Sequence, residues 1–164
     1  MVPDARQTNY VVDASSWISI EGHPAQNRIL HRVVELIESG RIECPPEAWD
    51  EVLKCPWVHA WLDQYYDRLI KRHRQNGDYL ALVGEIAHRF PSMSGVRGRK
   101  NKADPYVIAN AVHGNRVTSD SRFVVVANES VGNRRKMPTA CADYQVDCLT
   151  LMEMLRKEWP DDGF

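Results

Sequence analysis

Along the chain, short continuous apolar runs alternate with longer stretches in which apolar residues recur every three or four positions. The first pattern suits buried strands and the second suits amphipathic helices. Their alternation predicts an α/β fold. Asn9-Tyr10-Val11-Val12-Asp13 reads as the first strand, an apolar run stopped by an acid, and Ser15 and Ser16 follow in a turn. Residues 24–39 place Ile29, Leu30, Val33, Val34 and Ile37 on one helical face, and Ser39-Gly40 ends that helix. Residues 41–44 form a second strand, so strand, helix and strand make a βαβ unit with parallel strands. Pro45-Pro46 opens a helix through Ala48, Trp49, Val52 and Leu53. Beyond Pro56, Trp57, Trp61, Tyr65 and Leu69 recur every fourth residue. Such a stripe belongs to a core or an interface more readily than to a base-stacking platform. A further helix spans 79–90, residues 146–149 read as a last strand, and Met152, Met154 and Leu155 belong to a closing helix. Residues 1–8 read as a loose arm, and 159–164 as a tail that frays, with Trp159 free to pack back. The whole chain, 1–164, reads as one domain without repeats.

Residues 103–120 carry the chemistry. Asp104-Pro105 is a helix start, an acid at the cap and proline at the first helical position. Val107, Ile108, Ala111 and Val112 give the helix an apolar face, and Gly114-Asn115 reads as its stop. Arg116 to Ser119 then reads as a short strand closed by Asp120, with Phe123 to Ala127 a further short strand or the buried end of the turn. A helix of about ten residues is roughly 15 Å long, and a strand returns a similar distance. On this reading Asp104 and Asp120 meet at the carboxyl edge of the sheet, where open α/β sheets bind ligands. Two carboxylates there suggest a hard cation. Asp13, ending the first strand, joins the same edge unless it only caps the next turn. Glu47, Asp50 and Glu51 lie in the first two turns after Pro45. A helix-dipole role suits Glu47, and the residues alone do not choose among the three.

Charge and composition narrow the partners. With 164 residues and 43% hydrophobic content the chain can bury a real core. A formal charge of −1 gives no general attraction for nucleic acid, so a local basic patch is required. Residues 91–102 supply one: Arg97, Arg99, Lys100 and Lys102 lie in a glycine-bearing loop that runs into Asp104. Either this is a solvated loop or it neutralises a phosphodiester backbone over the acidic edge. A second polar loop, 128–136, ends in Arg134-Arg135-Lys136. The four cysteines, Cys44, Cys55, Cys141 and Cys148, lack Cys-x-x-Cys or zinc-finger spacing and read as reduced, mostly buried thiols. No leader-like run or membrane-length apolar stretch is present, so a soluble cytoplasmic protein without membrane contact is expected.

Four motifs, taken in order, resemble the PIN domain. This is the metal-dependent nuclease fold of the toxin halves of bacterial and archaeal toxin–antitoxin pairs (VapC-like proteins). Val11-Val12-Asp13-Ala14-Ser15 resembles the family's opening acid with a small polar residue two places on. Pro45 to Glu51-Val52 resembles its second element, with the glutamate six places later. Lys102 to Ala111 is the most specific match, and Thr118-Ser119-Asp120-Ser121-Arg122-Phe123 resembles the family's Thr-x-Asp-x-x-Phe. Together they cover about 110 residues. The resemblance implies a three-layer α/β/α sandwich with a mostly parallel sheet of four or five strands, and it selects Glu51. It also implies an acidic pocket of Asp13, Glu51, Asp104 and Asp120 that binds Mg²⁺ or Mn²⁺. Ser15, Thr118 and Ser119 would orient water or ligands around it. The implied activity is an endoribonuclease, the toxin of a toxin–antitoxin pair, with RNA held by Arg97, Arg99, Lys100 and Lys102. An antitoxin protein or a second copy of the chain, as a homodimer, would use the stripe around Trp57, Trp61 and Tyr65.

The segment from Asp50 to Pro91 is longer than in compact toxins, as is the loop after Phe123. Lys136 to Cys141, with the later Asp147-Cys148-Leu149, resembles one uncharacterised PIN branch. The alternative is a non-catalytic PIN-like module that binds RNA or protein. A phosphatase of the haloacid dehalogenase type is disfavoured, because Ser15 stands where its Asp-x-Asp opening needs the second acid.

Overall fold

Four parallel strands set the architecture. In the computed structural model, which describes residues 6–71, 76–93, 103–128 and 136–164, β1 (Gln7–Val12) lies between β2 (Ile42–Glu43) and β3 (Ser121–Val126). β4 (Cys148–Leu149) pairs with the outer side of β3, giving the order β2-β1-β3-β4. Each pairing is parallel. Tyr10, Val11 and Val12 on β1 and Phe123 to Val126 on β3 are buried without alternation, as strands covered on both faces require. The covering helices are α1 (Ala14–Ile18), α2 (Gln26–Glu38), α3 (Pro46–Val52), α4 (Pro56–Leu62), α5 (Tyr66–Leu69), α6 (Gly77–Arg89), α7 (Asp104–Val117), α8 (Lys136–Asp143) and α9 (Leu151–Glu158). The result is an α/β/α sandwich, the layered form of the α/β alternation seen along the sequence. None of the described helices is long and apolar enough to cross a membrane. All four cysteines are free, and three of them are buried.

Helix α7 is the centre of the fold. Val107 to Gly114 are buried on all sides, and the helix packs on β1, β3, α3, α6 and α8. It does not stop at Gly114-Asn115. A Cβ at Gly114 would lie 2.7 Å from the Phe123 ring, so glycine is there to let β3 approach the helix. Asn115 acts as a strand partner: its Oδ1 accepts the Phe123 N–H at 2.7 Å and its Nδ2 donates to the Phe123 carbonyl at 3.0 Å. These bonds satisfy strand groups that the short β4 does not reach. The predicted strand at 116–119 is therefore the last turn of the helix and a connecting bend, and the strand is 121–126.

Two further expectations change. The aromatic stripe does not lie on one helix. A 3₁₀ turn at Asp63–Tyr65 separates α4 from α5, leaving Trp57 partly exposed and Leu69 fully buried. Trp61 and Tyr65 face an open groove shared with Leu30 and Val34 of α2. The tail is also docked rather than frayed. Arg32 forks onto Asp162 at 2.6 and 3.0 Å and lies over the Trp159 ring, while Arg28 lies 4.5 Å from the centre of the Phe164 ring.

Candidate active site

The strand order places a topological switch between β1 and β3. The chain leaves β1 for β2 on one side and later enters β3 on the other, and the carboxyl ends of two strands so arranged are where open α/β sheets form a ligand crevice. Asp13 stands at the end of β1. Its N–H donates to the Val126 carbonyl at 2.9 Å, which fixes it against the end of β3. Its side chain caps α1, with Oδ2 accepting the Ser15 N–H at 3.2 Å and the Ser15 hydroxyl at 2.7 Å. The capping role considered from the sequence is therefore real, but it uses only one oxygen. Oδ1 is buried without a hydrogen-bond partner, on a residue only 7% exposed. An unmet buried acceptor costs about 1–3 kcal/mol, so it calls for a donor or a cation.

Glu51 reaches the same crevice from α3, which packs on α1 and α7. The Ala103 N–H donates to its carboxylate. Burial pushes the Glu51 carboxyl up from its ordinary range, and the Asp13 carboxylate adds to the push against Lys54 and the Ala103 bond. Burial and the Asp13 carboxylate also push the neighbouring Cys44 thiol up, so it remains a thiol. Asp50 is exposed, and Glu47 occupies the first turn of α3 as a dipole partner would. Asp104 is half-buried at the first position of α7, next to the Ala103 that binds Glu51. Asp13, Glu51 and the Asp104 position thus converge on one edge.

Asp120 does not join them. It precedes β3, and its carbonyl accepts the Gln7 N–H at the start of β1. Six residues of strand separate that end from Asp13, roughly 20 Å. The sequence geometry assumed a short helix and an early strand; the longer helix turns over at 118–120, on the amino edge. Thr118 and Ser119 lie at that edge too, away from the acids, whereas Ser15 is at the site. Arg97, Arg99, Lys100 and Lys102 lie outside the described residues.

At the end of β3 the structure presents Asn128 instead. Its N–H donates to Ser15 Oγ at 3.1 Å, its Nδ2 to Ser19 Oγ at 3.0 Å, and its Oδ1 accepts the Leu151 N–H at 2.9 Å. The sequence held a signal for it: a polar residue closing the run Val124-Val125-Val126-Ala127, as Asp13 closes β1. The first acid in sequence beyond β3 is Glu129, outside the described residues.

Among the described residues no three His, Cys, Asp or Glu side chains form a ready-made metal cage. The donors still suit Mg²⁺ or Mn²⁺. They are carboxylate oxygens, one is a buried acceptor lacking a partner, and Mg²⁺ usually takes only one or two carboxylates with waters and substrate phosphates. Glu51→Gln should remove the charge that the fold disfavours. Because the folded carboxyl titrates above its unfolded value, the ionised form weakens the fold at neutral pH. The variant should then raise the thermal midpoint slightly near pH 7 and gain nothing at acid pH. Calorimetry across pH would show this, and an unchanged or lower midpoint at pH 7 would count against the crowded-carboxylate account.

The fold and site define a parallel α/β protein with carboxylates brought toward the carboxyl edge at its switch point. More particularly, the chain belongs to the family described as Domain of unknown function (DUF4411), whose model matches residues 10–160. No curated protein and no solved structure matches the chain.

Proposed function

We propose that the protein is a metal-dependent endoribonuclease of PIN type, whose crevice residues bind Mg²⁺ or Mn²⁺ and cut RNA phosphodiesters. One observation carries the reading: Asp13, Glu51 and the start of α7 with Asp104 meet at the β1/β3 crevice, and Asp13 holds a buried oxygen without a partner. Asp13, Glu51 and Asp104 are the residues that would hold the ion. When bound, the metal supplies positive charge and Lewis acidity at the phosphoryl group. Ser15 fixes one oxygen of Asp13, leaving the other directed at the ligand. The Ala103 N–H fixes Glu51 in the same way. Both carboxylates are therefore oriented before a cation arrives, which lowers the reorganisation that catalysis requires. A toxin role would add an antitoxin protein or a second copy of the chain, and the groove beside Trp61 and Tyr65 is the surface available for it.

The lack of a ready-made cage favours a second reading, a non-catalytic module that binds RNA or protein. One experiment separates them. Purified protein is incubated with total cellular RNA and Mn²⁺ or Mg²⁺, then with chelator, beside Asp104→Asn. Cleavage should require the metal and fall by about a hundredfold in the variant, with the thermal midpoint nearly unchanged. Cleavage that survives both chelation and Asp104→Asn would refute the site. No cleavage and no metal binding under any condition would leave the binding module.

A further inference from the structure

We infer that Asn128 is a positioning residue for Asp13, acting through the Ser15 hydroxyl; this rests on the metallonuclease reading above. The polar groups form one chain with fixed directions. The Asn128 N–H donates to Ser15 Oγ at 3.1 Å, so the Ser15 hydroxyl is left to donate, and it does so to Asp13 Oδ2 at 2.7 Å. Asp13 Oδ2 also takes the Ser15 N–H, and Oδ1 takes none. One oxygen is thus saturated and the other reserved.

The Asn128 side chain fixes the N–H that starts the chain. Its carbonyl oxygen receives the Leu151 N–H at the first residue of α9, and its amide donates to Ser19 at the end of α1. The Ser19 hydroxyl is itself committed to the Ser16 carbonyl at 2.7 Å, so it needs a donor from Asn128 rather than another acceptor. An amide offers both an acceptor oxygen and a donating NH₂, whereas a carboxylate would offer only acceptors and add a like charge beside Asp13. The chemistry therefore selects asparagine at the end of β3. Asp13 directly follows β1 and Asn128 lies two residues beyond β3, so both stand at the carboxyl edge beside the switch point.

Residues that orient a metal ligand typically change metal affinity about 10- to 100-fold when removed. The test is Mn²⁺ titration by calorimetry on the full chain, for wild type, Asn128→Ala, Ser15→Ala and the double variant. Asn128→Ala and Ser15→Ala should each weaken Mn²⁺ binding about tenfold or more, and the double variant should be no weaker than the worse single one. Ser19→Ala, which removes one anchor of Asn128 and keeps the strand end, should weaken binding less, in the same direction. It serves if Asn128→Ala fails to fold. Unchanged affinity in a folded Asn128→Ala or in Ser19→Ala, or additive losses in the double variant, would overturn the inference and leave the nuclease reading standing. Absence of Mn²⁺ binding in the wild type would overturn both.

Discussion

Asp13→Asn, on the proposed metallonuclease reading, is expected to lower the rate of RNA cleavage by at least about a hundredfold, roughly 2.7 kcal/mol of lost transition-state stabilisation. Asp120→Asn should leave the rate within about twofold, because its effect could reach the crevice only through long-range, screened electrostatics. The pair is informative because a motif reading treats the two aspartates alike, and the fold separates them. Asp13 ends β1 at the crevice. Asp120 precedes β3, is exposed, and lies on the opposite edge of the sheet. The asparagine at position 13 keeps an oxygen for the Ser15 bonds, so the cap of α1 survives and the loss reports on charge rather than on folding. Rates with a defined RNA, and thermal midpoints of both variants, provide the check. Equal losses from both substitutions would show that the active centre is not at the carboxyl edge. No loss from Asp13→Asn would remove the metal site from Asp13.

Why Asp120 misleads shows what a sequence of this kind makes legible. Local periodicity located β1, α2, β2, α3, α6 and α9 to within a few residues, because each is decided by its own apolar face and caps. Gly114-Asn115 carries the same local signature as a helix stop, yet both residues answer to Phe123, eight or nine positions away and across a packed interface. A tertiary contact overrode the turn signal, and the shift of one helical turn moved an acid from one edge of the sheet to the other. The place of Asp13 at the carboxyl edge was legible because it closes a buried apolar run, and so was its cap on the next turn. The placement of Glu51 beside Asp13 could be expected only from the resemblance, since what sets it apart from Glu47 and Asp50 lies in reaching Ala103 and the field of Asp13. Asn128 shows in the sequence only as the polar residue that closes an apolar run; its bonds to Ser15, Ser19 and Leu151 were not legible, because the chain brings those groups together only on folding. The docked tail is similar: its anchors, Arg28 and Arg32, lie more than a hundred residues upstream on α2.

Glu158→Ala should destabilise the protein by about 3 kcal/mol or more, the largest single loss of stability expected outside the hydrophobic core. Glu158 ends α9 and takes a two-pronged bond from Arg41, both contacts at 2.6 Å, while the Tyr10 hydroxyl donates to the same carboxylate. Arg41 spends its third donor on the Thr8 carbonyl. The side chains of Arg41 and Glu158 are only 22% and 14% exposed, so the pair behaves as a buried ion pair rather than a surface one. Removing the carboxylate strands a guanidinium and a phenol against β1, which is the costly case. Burial alone would push the Glu158 carboxyl up, but the bonds from Arg41 and Tyr10 outweigh it and hold it below its ordinary value of 4.5. The sign of the pH effect follows. A depressed folded value means that this contribution is complete above the unfolded value and is lost as pH falls through the folded one. Urea unfolding of wild type and Glu158→Gln should therefore differ most near pH 7 and converge in acid, below the ordinary glutamate range. A difference that stays constant down to that range would show that shape, and not the charge held by Arg41 and Tyr10, is what Glu158 contributes.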